Sequence, residues 1–148
     1  MNTVFYLFRP NREADFLHEL LKDFKGVLVS DFYPGYDSLP CQQQKCLVHL
    51  IRDMNEDLFK NQFNREYVEL VQEFGKLLRM IVEATKKYGL KKLHLNKYKI
   101  DVEIFLNKVL NKEYETELSI GYQKRFKKNK DNKAGNWFSQ RPFFNWKR

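Results

Sequence analysis

GVLVSDFYPGYD, residues 26–37, is the stretch whose reading decides the fold. Three apolar residues, Val27, Leu28 and Val29, run through Ser30 into a carboxylate, Asp31. Pro34-Gly35 then turns the chain, because Pro presets its own backbone angle and Gly supplies a positive one. A short unbroken apolar run suits a strand covered on both faces, as in a parallel sheet. Asp31 then has two readings. It caps the turn, or it is a chemical group held at the C-terminal tip of a strand, where α/β proteins place ligands.

Working outward, TVFYLFR (3–9) reads as a strand from its aromatic and β-branched content. Pro10-Asn11 breaks it, and Asn11 can cap a helix. From Arg12 to Phe24, Leu17, Leu20, Leu21 and Phe24 recur at helical spacing. Strand, helix, strand is a βαβ-like unit with a right-handed crossover expected. QKCLV (44–48) reads as a further short strand, and the pattern turns helical after His49, through Leu58 and Phe59. Asn64 caps the clearest helix. Its apolar stripe runs Tyr67, Leu70, Val71, Phe74, Leu77, Leu78, Ile81, Val82, Thr85, Tyr88, and Gly89 ends it. Weaker helices follow near 97–110 and 113–129. The fold class is therefore α/β: a first half with few strands and a mainly helical second half.

At 148 residues the chain is one domain in size, able to bury about 70% of its unfolded surface. Two cysteines, Cys41 and Cys46, build no disulfide framework, which points to a reduced, cytoplasmic setting. VFYLF is too short for a signal-peptide core, and no apolar run approaches the ~18 residues of a membrane span.

The net charge of +8 is informative once located. Residues 1–120 carry 18 Lys/Arg and 18 Asp/Glu, which cancel; residues 121–148 carry nine basic residues and one acid, Asp131. The excess thus sits in the last 28 residues. Such a segment attracts phosphate backbones through counterion release, or is a solvated tail. Lys124, Arg125, Lys127 and Lys128 are its candidate DNA contacts. From Asp131 the sequence follows neither helical nor strand period. Its Trp and Phe residues among Arg and Lys suit stacking on single-stranded bases. An unselected end, from a frameshift or read-through, gives the same appearance.

Cys41, Cys46 and His49 have the residue types of a zinc site, with His18 or His94 to complete it. A closed site needs four ligands paired more tightly than C-x4-C-x2-H, so buried free cysteines are the expectation.

Fifteen residues after Asp31 comes CLVHLIRD, holding Cys46, His49 and Arg52. Together with VSDFYPGYD it resembles bacterial insertion-sequence transposases with an RNase H-like core, most closely the insertion-sequence sixty-six group. The resemblance covers roughly residues 3–130 and is strongest over 26–60. It implies a partial RNase H-like α/β core over 1–60, a helical insertion over 61–130 and an irregular tail over 131–148. It makes Asp31 the second carboxylate of an Asp-Asp-Glu triad that holds two metal ions, Mg²⁺ in the intact family, ~3.5–4 Å apart. The implied chemistry is cleavage at transposon ends and joining to target DNA, with oligomers possible. Cys46 and His49 match the family's Cys-x-x-His signature, and Arg52 becomes a phosphate contact. Arg52 equally suits a surface ion pair with Asp53 or Glu56.

Two departures stand out. The first carboxylate of the triad belongs on a strand upstream of Asp31, yet the acids there, Glu13, Asp15, Glu19 and Asp23, lie on the predicted helix. The third, a Glu in an Asn-rich stretch, belongs after about residue 130, yet no Glu follows Glu117. One carboxylate of three does not hold two metals in register. The expectation is an internal piece of such a transposase, inactive alone, or a non-catalytic nucleic-acid-binding module working through its basic, aromatic C-terminus. Marginal stability is expected for the N-terminal half and firmer order for the 64–88 helix.

Overall fold

The structure, a computed structural model, describes residues 6–8, 10, 15–89 and 91–131. It is an α/β fold, mostly helical, with a small parallel sheet. In chain order the elements are α1 (Asp15–Leu20), β1 (Val27–Ser30), a 3₁₀ turn (Pro34–Tyr36), β2 (Gln42–Lys45), α2 (Leu47–Lys60), α3 (Arg65–Tyr88), α4 (Lys92–Asn96), α5 (Tyr98–Asn111) and α6 (Glu117–Asp131). The expected strand 3–9 lies mostly outside the described residues, and Tyr6–Phe8 are in no regular element.

β1 forms where GVLVS predicts it. It pairs in parallel with β2, Val27 opposite Gln42 and Ser30 opposite Lys45. Two corrections apply here. No residue of β1 is fully buried, and Val29 is 46% exposed, so the strand is not covered on both faces. The second strand is Gln42–Lys45, earlier than 44–48. The apolar Cys-Leu-Val that suggests a strand is instead the start of α2. There Leu47, Leu50, Ile51 and Met54 recur at helical spacing and pack into the core. The strand itself is polar, Gln-Gln-Gln-Lys, and follows period two, with Gln43 and Lys45 turned inward. The link from β1 to β2 carries only the 3₁₀ turn rather than a crossover helix.

The helical part follows from its apolar stripes. Asn64 caps α3, its side chain accepting from the Tyr67 N–H at 3.0 Å. Tyr67, Leu70, Phe74, Leu77 and Ile81 on one face of α3 are buried. Val82 and Tyr88, at the edge of the predicted stripe, stay outside the core. Gly89, with φ +71°, ends the helix in a backbone conformation that favours glycine. Against that face pack Leu50 and Met54 of α2, Val102, Phe105, Leu106 and Val109 of α5, and Tyr122 and Phe126 of α6. Phe74, Phe105 and Phe126 form an aromatic triangle with ring centroids 5.2–5.5 Å apart.

Two polar devices set the position of α6. Glu66, in the first turn of α3, accepts from the Glu115 N–H (2.8 Å), the Thr116 N–H (3.1 Å) and the Thr116 hydroxyl (2.6 Å). Partial burial alone would raise its pKa, but these donors outweigh it and hold the carboxyl at about 2. Further along, the Tyr122 hydroxyl donates to Asp57 at 2.7 Å and the Tyr67 hydroxyl to the Met54 carbonyl at 3.0 Å. Burial, and then the neighbouring Asp57, push the Tyr122 hydroxyl far above its ordinary range. α6 therefore runs alongside α3 in the same direction, and its basic end reaches the sheet.

Candidate functional site at the tip of β1

Asp31 is the first residue beyond β1. Its Oδ1 accepts from the Tyr33 N–H at 3.0 Å, which is the turn-capping role. The same side chain lines an open cleft of about 430 Å³ with Phe32, Tyr33, His49, Arg52, Asp53, Arg125 and Lys128. The two readings of Asp31 are thus compatible: one oxygen fixes the turn, and the turn aims the group into the cleft.

The walls come from distant parts of the chain. α2 begins directly after β2, so its first turns carry His49, Arg52 and Asp53 to the strand tip. The end of α6 supplies Arg125 and Lys128. Arg125 donates to Asp53 Oδ2 at 2.7 Å, and its guanidinium lies over the rings of Phe32 (4.2 Å) and Tyr122 (5.0 Å). Arg52 is 61% exposed and faces both Asp53 Oδ1 (3.6 Å) and Glu56 (3.8 Å). The ion-pair reading of Arg52 is therefore present in the structure, on the rim of the same cleft. His49 lines it, and among the described residues its buried Nδ1 has no hydrogen-bond partner.

Lys128 pairs with Asp37 Oδ2, and Asp37 Oδ1 lies 3.1 Å from the ammonium of Lys45. Lys45 also reaches Ser30 Oγ at 3.4 Å. Its side chain is 1% exposed. Burial works against the charge on Asp37, but Lys128 and then Lys45 overcome it and lower its pKa. An ion chain, buried at Lys45 and exposed at Lys128, thus joins the end of β2 to α6. Sequence reasoning missed Lys45, Asp37 and Phe32. The signal for Lys45 was the period-two pattern of the polar strand, which an apolar-run search passes over.

Of the remaining candidates, Lys124 and Lys127 are exposed on α6. Cys46 precedes α2 and, like Cys41, is a half-buried free thiol. His18 hydrogen-bonds Ser38 at 3.0 Å, and His94 stacks on Tyr88 with centroids 4.4 Å apart. Among the described residues no group of three or more His, Cys, Asp or Glu is arranged to hold a metal ion. In the cleft, Asp53 is engaged by two guanidiniums, and three cationic side chains face two carboxylates. The residues present do not fit a two-metal site. They fit an anion better, since Arg and Lys on an aromatic floor suit a phosphate.

Among the described residues no helix is long and apolar enough to cross a membrane. A family model described as Transposase IS66 family matches residues 1–140 of this chain. Comparison with curated proteins and with solved structures finds no match.

Proposed function

The chain belongs to the IS66 transposase family, and we propose that within it this chain is a DNA-contacting segment that neither cleaves nor joins DNA alone. Membership implies DNA as a partner and, for the family in general, a divalent metal. In this reading residues 1–60 are part of an RNase H-like core, residues 61–130 a helical insertion and 131–148 a tail. Asp31 is the carboxylate the chain contributes to the family's metal-holding trio. His49 forms part of the wall beside it, and Cys46 stands at the start of α2.

The observation that carries this reading is the cleft at the tip of β1: Asp31 beneath a rim of Arg52, Arg125 and Lys128. A phosphodiester backbone brings negative charge there, and the guanidiniums offer paired donors for its oxygens. With Asp53 tied to Arg125 and no third ligand among the described residues, no catalytic step is assigned to the chain.

The test is a supercoiled-plasmid nicking assay with the full chain in Mg²⁺ and in Mn²⁺. No nicking is expected. Cleavage that Asp31→Ala abolishes would sink the claim of inactivity, and would make Asp31 part of a working site.

The second reading, a binding module resting on its C-terminus, draws support from the exposed Lys124 and Lys127 of α6. Cutting the chain at residue 120 is no test of it, because that removes Tyr122 and Phe126 from the core. A chain ending at residue 131 keeps the core and removes the tail. Duplex binding that vanishes with the tail, or with Lys124→Gln/Lys127→Gln, supports this second reading; binding that survives both and is lost with Arg52→Gln supports the cleft.

A further inference from the structure

The equal numbers of charges in residues 1–120 conceal a local imbalance. Between Glu83 and Asp101 the sequence has no acid, while six lysines occur: Lys86, Lys87, Lys91, Lys92, Lys97 and Lys99. The fold gathers them at one corner. Lys86 and Lys87 stand in the last turn of α3, Gly89 turns the chain, Lys91 precedes α4 and Lys92 opens it, and Lys97 and Lys99 flank the first residue of α5. Tyr88 stacks on His94 across this corner, which ties α4 back to α3.

Toward the other end of α5, Lys108 pairs with Glu73 and Lys112, just past the helix, with Glu69. At the corner, among the described residues, no ion pair engages Lys86, Lys87, Lys91, Lys97 or Lys99, and the first four are exposed. Lys87 and Lys97 instead lie over the rings of Tyr88 and Tyr98, at 5.1 and 4.9 Å. One or two cations suffice to complement the negative end of the α3 dipole. Six without an acid among them exceed that need.

We propose that this lysine corner is a DNA-backbone contact surface separate from the cleft. The inference rests on the family's DNA partnership and not on the cleft reading. Position supports it. Because Glu66 holds the start of α6 and Phe74 meets Phe126, α6 and α3 run side by side toward this end. At 1.5 Å per residue, α3 extends roughly 10 Å past the end of α6. The corner therefore lies within the length of a short duplex of the end of α6, and a duplex carries one charge per ~1.7 Å of axis for its lysines to meet.

The experiment is fluorescence anisotropy of a labelled mixed-sequence duplex of about 30 base pairs, titrated with the full chain over a salt series. The variant is K86Q/K87Q/K91Q/K97Q, at exposed positions, with K91Q/K97Q as the milder pair. The quadruple variant is expected to weaken binding about tenfold or more. It should also flatten the slope of log K on log salt by ~0.9 for each phosphate that is no longer neutralised. Arg at the four positions should restore both. Duplex binding unchanged in the Gln variants but weakened by Arg52→Gln overturns the corner and leaves the cleft reading standing. If the unaltered chain binds no duplex, both fall. Binding to phosphatidylserine vesicles that depends on these lysines, with duplex binding indifferent to them, also overturns it.

Discussion

Glu66 shows how one carboxylate can hold two helices together. It takes three donors from residues 115 and 116, on the far side of α3, α4 and α5 in sequence. Its folded pKa of about 2 lies below the ordinary 4.5. The group is therefore ionised in the folded state at pH values where the unfolded chain takes up a proton. The stability it supplies is present above about 4.5 and is lost as pH falls toward 2. Glu66→Gln is expected to lower unfolding stability by roughly 1–2 kcal/mol at neutral pH. In urea melts the two proteins should converge through that acidic window; a pH-independent difference contradicts the carboxylate's role. Asp31 is the other instructive residue. Its placement after a β-rich run and before Pro-Gly made the strand tip legible in sequence. In sequence Arg125 is only a basic residue of the C-terminal segment; its pairing with Asp53 across the cleft was not legible, because 72 positions separate them and local spacing carries no information on such a contact.

At the scale of elements, α6 does most to unite the molecule. Its mean composition is polar, yet Phe126 is fully buried and Tyr122 nearly so. Phe126→Ala removes the apex of the aromatic triangle and should cost about 3–5 kcal/mol. Thermal denaturation reads this directly, and a loss below about 1 kcal/mol would mean that α6 is not seated on the core as described. The helices were largely readable in advance. The α3 stripe, its Asn64 cap and its Gly89 stop are local signals, and the structure follows them within a residue or two. α1 was less so: the helix is Asp15–Leu20, and Leu20 and Phe24 of its expected apolar face are exposed. α4 went unread because five residues give too few turns for a period to appear. The second strand was misplaced because its stability comes from pairing with β1 and from an ion pair, neither of which leaves an apolar pattern.

For the whole molecule, one core joins α2 through α6, while among the described residues the sheet has two strands with few buried side chains. Two-stranded sheets are marginal by themselves. Native-state amide exchange should therefore find the Leu70–Ile81 stretch of α3 best protected and the Val27–Ser30 amides faster. The reverse order would relocate the stable unit to the sheet. The cleft lies where these parts meet, lined by the 31–33 turn that leaves β1 and by α2 and α6, so its shape depends on both.

The ammonium of Lys45 adds a consequence for anyone mapping this protein by mutation. Sealed inside, it has Asp37 as its counter-ion, and deleting one member of such a pair typically costs about 3–5 kcal/mol. Asp37→Ala should consequently lower the yield of folded protein, whereas Lys128→Met, on the wetter side, should be tolerated. A screen scoring duplex binding alone would rank Asp37 beside Arg52 on the cleft rim and mistake a foundation stone for a contact. Expression level, recorded for each allele, tells the two apart.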